Sequence, residues 1–237
     1  MLQIEHFSKT YDGKRRAVDD LTLHVAAGDL FGFLGANGAG KTTTIKAAVG
    51  ILPFEEGRIL VDGLDVREQP LLAKQRLAYI PDDPQLYDGL SGMEYLNFIA
   101  DIFRVSQTER EARVRRYADM LELTSRLNDI IGGYSHGMKQ KLEIVGALLH
   151  QPQLLVLDEP FVGLAPKAAF TLKELMREFC AAGGAIFFST HVLDVAEKLC
   201  NKIAVIKSGH LIACGDIESV KGDQSLEEVF LELIDHA

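Results

Sequence analysis

No stretch of this 237-residue sequence approaches the roughly eighteen uninterrupted apolar residues that a membrane-crossing helix needs. The longest contender, residues 45–54, is broken by Lys46 and Pro53. The N-terminus, Met1-Leu2-Gln3-Ile4-Glu5-His6, has neither the basic start nor the apolar run of a secretory signal, so none is expected. Cysteine is scarce. Cys180, Cys200 and Cys214 are odd in number, far apart and without C-x-x-C spacing. No disulfide framework or zinc site is implied, a reducing cytoplasm fits, and all three are expected as buried small hydrophobes. Positive charge is in deficit too. The net charge is −9, whereas a dedicated nucleic-acid binder usually carries a basic balance, so nucleic acid is not an expected partner. Internal repeats, low-complexity tracts and long linkers are also missing.

What is present suits a globular chain able to bury a sizeable core, with 47% hydrophobic and 25% charged residues. Leu2 and Ile4, and later Leu21, Leu23 and Val25, alternate with polar neighbours as half-buried strands do. A turn carrying Tyr11 lies between them, at residues 9–14. Residues 58–63 and 77–80 read as further strands, the latter stopped by Pro81. From about residue 89 to 127 the period becomes helical. Ser106-x-x-Glu109 predicts a capping box, and Val114, Tyr117 and Leu121 share one face. The charged run 109–113 reads as a solvated helix face. Two apolar runs, 154–157 and 185–188, predict strands buried on both faces. Helices are expected over 167–180, 192–199 and 225–234, with a hairpin around Ser208-Gly209. The pattern is an α/β core with a helical insertion.

Gly35-Ala36-Asn37-Gly38-Ala39-Gly40-Lys41-Thr42 fits G-x-x-x-x-G-K-[ST], between the strand 30–34 and a helix. Glycines let successive N–H groups curl inward as an anion nest, and the helix start adds partial positive charge. Lys41 can then reach the β- and γ-phosphates, and Thr42 can offer its hydroxyl to Mg2+. Asp158 and Glu159 close the strand 154–157. Ligands of open α/β sheets bind beyond the carboxyl ends of strands, so this acidic pair can converge with the glycine loop. Asp158 is placed to hold Mg2+, and Glu159 to act as general base on a water. His191 follows the strand 185–188 and the polar pair Ser189-Thr190, where it can meet the γ-phosphate or the attacking water; a structural histidine would look the same in isolation. Tyr134-Ser135-His136-Gly137-Met138 opens an apolar helix and offers a second anion-binding start, or an ordinary cap.

Taken in this order along nearly the whole chain, the motifs resemble the nucleotide-binding subunit of an ATP-binding cassette (ABC) transporter. The resemblance implies a P-loop NTPase core with an N-terminal antiparallel β subdomain and an inserted α-helical subdomain. One cassette would span 1–237, with the core at about 1–86 and 150–237 and the helical subdomain at about 87–149. It implies that Tyr11 stacks on adenine, that residues Gly35 to Thr43 hold the phosphates of ATP, and that Ser135 and Gly137 touch the γ-phosphate. It makes Glu159 and His191 catalytic, and Thr42, Asp82 and Asp158 the Mg2+ set. Two copies would meet head to tail, the glycine loop of one facing Ser135 and Gly137 of the other. The pair would drive separate transmembrane permease subunits, held at the inner face of the cell membrane, through residues 82–90 and the helical block. The segment 135–141 resembles subfamilies with separately encoded permeases, often exporters.

The chain departs from the family pattern in three places. His136 and Met138 replace a glycine and a glutamine of the signature. Asp82 stands where a glutamine is expected; it can bind Mg2+ or water but cannot donate a hydrogen bond when ionised, and Gln85 is the alternative if the loop shifts. Ala165 replaces the aspartate that helps couple the two ATP sites. Relatives acting on DNA or ribosomes usually show a long coiled coil, zinc cysteines or two cassettes, none of which is present. A P-loop kinase or GTPase leaves 134–140 and His191 without a role, and a non-hydrolysing module leaves Glu159 and His191 without one.

Overall fold

Alternating strands build one sheet and continuous apolar strands the other. The computed structural model describes every residue except Asp12, Lys14 and Ala237, so those two positions of the turn expected at 9–14 lie outside the described residues. Strands β1 (Leu2–Thr10) and β2 (Arg16–Val25) come first, then β3 (Leu30–Leu34), helix α1 (Lys41–Ala48), β4 (Glu56–Val61) and the two-residue β5 (Leu64–Asp65). The first sheet has the order β2-β1-β4-β5, every pairing antiparallel. Helix α2 (Pro70–Arg76) follows; sequence periodicity does not reveal it, because Leu71 and Leu72 lie outside the core at 76% and 49% exposure.

After β6 (Leu77–Ile80) the chain leaves the sheet. It forms α3 (Gly92–Ile102), α4 (Gln107–Met120) and α5 (His136–Leu148), then returns as β7 (Leu154–Asp158), which pairs in parallel with β6. The expected box at Ser106 is present, with Glu109 reaching back, and Ser91 with Glu94 makes another. Each such cap stabilises a helix by about 1 kcal/mol. The charged run is less solvated than expected. Arg110 bonds Asn97 and Asp101 on α3, and the Arg113 guanidinium donates to the Leu149 carbonyl at 2.6 Å, so both fasten α4 to its neighbours.

Helix α6 (Pro166–Ala181), β8 (Ala185–Thr190), α7 (Leu193–Leu199), β9 (Lys202–Lys207), β10 (His210–Asp216), α8 (Ile217–Lys221) and α9 (Leu226–His236) complete the chain. The second sheet runs β10-β9-β3-β8-β7-β6, parallel except for the expected terminal hairpin β9-β10. Its strands other than the edge strand β10 are largely buried on both faces. On β8, Ile186 and Phe188 join the core shared with the inserted helices, while Ala185 and Phe187 join Phe31, Phe33 and Ile45 on the side of α1. Fully burying one such side chain stabilises the fold by about 1.5–3 kcal/mol. Cys180 and Cys200 are buried as expected, but Cys214 is exposed, because β10 is the edge strand. Among the described residues no helix is long and apolar enough to cross a membrane.

Candidate nucleotide site

Register decides what meets at the carboxyl edge of the second sheet. Leu34 of β3 stands beside Thr190 of β8, and Ser189 beside Asp158 of β7. The glycine loop, the acidic pair and His191 therefore emerge side by side. The loop takes the path that its glycines permit. Gly40, at φ 113°, sits immediately before α1, and a Cβ there would lie 2.7 Å from the Ala17 carbonyl oxygen. At Gly35 a Cβ would lie 2.5 Å from the Ile206 carbonyl oxygen. No side chain caps α1, which leaves the N–H groups of its first turn for a ligand.

Lys41 is 6% exposed. Its ammonium donates to the carbonyls of Gly35 (2.6 Å) and Ala36 (3.3 Å) and lies 3.7 Å from Glu159 Oε1. Burial pulls its pKa below the usual lysine value, against the opposing pull of Glu159 and Asp158. Glu159 Oε1 also lies 2.9 Å from His191 Nδ1. The Glu159 backbone is left-handed, φ 47°, a conformation that costs a non-glycine residue on the order of 1–3 kcal/mol. Its N–H donates to the buried Ser189 hydroxyl at 3.1 Å. The same hydroxyl donates to Asp158 Oδ1, so Ser189 positions both acidic residues. Sequence reading misses that role, although a serine ending an otherwise apolar strand is its signal.

Asp158 is 1% exposed, and its Oδ2 has no hydrogen-bond partner. Burial raises its pKa, while hydrogen bonds from Ser189 and the Thr42 hydroxyl hold it down and the charges of Asp82 and Glu159 push it up. Asp82 is thus within electrostatic reach, though its Oδ1 accepts the Asp83 N–H at 3.0 Å. Gln85 is turned elsewhere, its side-chain amide donating to Asp83 at 2.9 Å. Among the described residues no three His, Cys, Asp or Glu side chains could together hold a metal. The donor set still fits Mg2+, which binds through one or two carboxylates plus phosphate and water oxygens.

Tyr11 is 63% exposed, and its hydroxyl lies 3.2 Å from Thr43 Oγ1. It lines a cleft with Arg16, Ala17, Gly38 and Ser208, beside the glycine loop. Ser135 and Gly137 stand apart from this cluster. Ser135 is exposed, and its Oγ accepts the Met138 N–H at 3.3 Å as an N-cap. Gly137 and His136 pack instead on Gly163, where a Cβ would lie 2.6 Å from His136 Nδ1. Gln140 of the same helix, 1% exposed, donates to the Pro160 carbonyl at 2.7 Å and so ties α5 to the segment after Glu159. Sequence reading passes over it as one polar residue in an apolar helix.

Residues 18–162 match the family described as ABC transporter. The chain is 34% identical over 215 residues to the linearmycin resistance ATP-binding protein LnrL of Bacillus subtilis (strain 168), covering 91% of this chain and 69% of that one. A solved structure described as the ATP binding subunit of an ABC transporter superposes with a TM-score of 0.95 at 34% identity, over 99% of both chains. The structure of cbiO1 from Clostridium perfringens, described as part of the ABC transporter complex cbiONQ, gives a TM-score of 0.81 at 26% identity, over 99% of this chain and 96% of that one.

Proposed function

Since the chain belongs to the ABC transporter family as an ATP-binding, ATP-hydrolysing subunit, we propose that it energises transport through separate transmembrane permease subunits. The similar structure cbiO1 is described as part of the ABC transporter complex cbiONQ, and this chain is read as a subunit of such a transporter, held in the cytoplasm at the inner face of the membrane by its permease. One cassette spans 1–237, with the core at about 1–86 and 150–237 and the helical subdomain at about 87–149. In the site, Tyr11 stacks on adenine, and Lys41 with the N–H groups of residues 35–43 holds the phosphates. Thr42, Asp158 and Asp82 would hold Mg2+, which would screen phosphate charge. Glu159 takes a proton from the attacking water. His191, hydrogen-bonded to Glu159, fixes that carboxylate and the γ-phosphate end of the site.

The exposed start of α5 has no phosphate cradle beside it in its own chain. A second copy, related by a two-fold axis, brings Ser135 and Gly137 over the ATP held by the first. ATP closes this homodimer, and loss of the γ-phosphate opens it. The acidic balance of the chain, −9, disfavours nucleic acid as the partner.

The observation that carries this reading is the Glu159 carboxylate oxygen set 2.9 Å from His191 and 3.7 Å from Lys41 at the mouth of the glycine loop. Glu159→Gln keeps the shape and removes the base. Turnover is expected to fall at least about a hundredfold, the scale of general-base catalysis, while ATP still binds and dimers accumulate on gel filtration. Turnover near that of the wild type would remove Glu159 from the role of base.

A further inference from the structure

Glu159 holds a left-handed backbone, and strain of that kind persists only where the surroundings fix it from several sides. Two of the fixing bonds come from nearby. The Ser189 hydroxyl accepts the Glu159 N–H, and the Glu159 carbonyl accepts the Val162 N–H at 3.1 Å. The third comes from the inserted helices. Gln140 of α5 donates its side-chain amide to the carbonyl of Pro160, the next residue after Glu159, at 2.7 Å. The proline ring fixes φ, so little slack separates that carbonyl from Glu159.

Gln140 is costly where it stands. It is buried, and its Oε1 has no hydrogen-bond partner among the described residues. A buried acceptor left unmade destabilises a fold, and an unbranched apolar side chain of the same length would leave none. What an apolar residue could not supply is the N–H on Pro160. The loop has other anchors. Phe161 packs edge-on against Phe188 of the second sheet, with ring centroids 6.1 Å apart. Gly163 lies against the start of α5, where a Cβ on Gly137 would come within 3.2 Å of its carbonyl oxygen. The Gln140 bond falls between these anchors and the end of β7, on the stretch that carries Glu159.

We infer that Gln140 is a positioning residue for ATP hydrolysis. Through Pro160 it holds the Glu159 carboxylate at the place from which it acts on the attacking water. It works through Glu159 and not on the nucleotide. The inference rests on the reading of Glu159 as the general base.

The test puts Gln140→Met, which keeps an unbranched side chain of similar length without the donor, into the wild-type chain and into Glu159→Gln. A misplacement of about 1 Å can lower a rate about a hundredfold. In the wild-type chain kcat is therefore expected to fall at least about tenfold, with KM and calorimetric ATP affinity changed by less than about twofold. Gln140→Asn, which keeps the amide but falls a methylene short of Pro160, is expected to give the same split, and it carries the comparison if Gln140→Met does not fold. In the Glu159→Gln chain, followed by single-turnover release of labelled phosphate, Gln140→Met is expected to change the residual rate by less than about twofold, because residues that act as a unit are not additive. A kcat within about twofold of wild type for either folded variant, a loss of ATP affinity as large as the loss of kcat, or a further loss of about tenfold in the Glu159→Gln chain overturns the positioning role and leaves Glu159 as the base. If Glu159→Gln by itself turns over like the wild type, the base reading fails and this inference falls with it. Thermal melting of each variant reports that it is folded.

Discussion

Helices α1 and α5 both begin where an anion can bind, and they are furnished in opposite ways. The start of α1 is uncapped, backed by a buried lysine and faced by acidic residues from a neighbouring strand. The start of α5 is capped by its own Ser135, exposed, and packed on a glycine. The first gathers the residues proposed for phosphate binding, metal ligation and the base in one place. The second offers a hydroxyl and backbone N–H groups alone. In the proposed site, a helix start becomes half of a catalytic site through what neighbouring strands bring to it, and α5 would gain its partners from another copy of the chain.

Removing the cation from the richer half gives the largest effect on this contrast. Hydrogen bonds to charged groups contribute about 1.5–3 kcal/mol, so Lys41→Ala is expected to weaken ATP binding at least about tenfold by calorimetry. An affinity within about twofold of wild type would make the two helix starts equivalent.

The halves differ in buried charge as well. Lys41 has Glu159 beside it, whereas among the described residues no cation forms an ion pair with Glu143 on α5. Its folded pKa, about 7, exceeds its ordinary 4.5. The folded chain therefore holds the proton more tightly than the unfolded one. No cost arises below pH 4.5, and destabilisation grows as pH rises towards 7. For the isolated chain, Glu143→Gln is expected to raise Tm at pH 8, by up to ~3 kcal/mol of stability, and to change it little at pH 5. An equal change at both pH values would mean that Glu143 is not buried as a charge.

The smallest effect sharpens the contrast in capping. Ala165 is the N-cap of α6 and supplies no side-chain acceptor. Ala165→Asp is expected to stabilise the chain by about 1 kcal/mol, or roughly 2–4 °C in Tm for a chain of this size. No gain would mean that contacts of the Gly163 segment outweigh the cap.

The candidate nucleotide half was legible because its parts are contiguous. Eight residues spell the loop, and two acidic residues close an apolar run. The element types of the core were legible for the same reason, since period-two and buried strands mark themselves. What stayed hidden depends on residues far apart in sequence. Ser189 holds Asp158 and Glu159 across two strands, and Gln140 reaches Pro160 from another helix. The arginines at 110 and 113 read as solvated because their acceptors, on α3 and at the end of α5, are invisible in a charge run. Cys214 was misjudged because nothing in its neighbours marks β10 as an edge. The helix start at Ser135 and Gly137 was legible as an anion site or an ordinary cap, and only the resemblance gave it a place on the γ-phosphate.

Mixing two inactive variants tests the shared site most directly. Lys41→Ala damages the glycine-loop half, and Ser135→Ala the other. In a mixed head-to-tail dimer both lesions fall in one site, and the second site is intact. Random mixing makes half of the dimers mixed, so about a quarter of wild-type hydrolysis is expected to return, well above either variant alone. If the mixture hydrolyses ATP no faster than the average of its two components, each chain carries its whole site by itself.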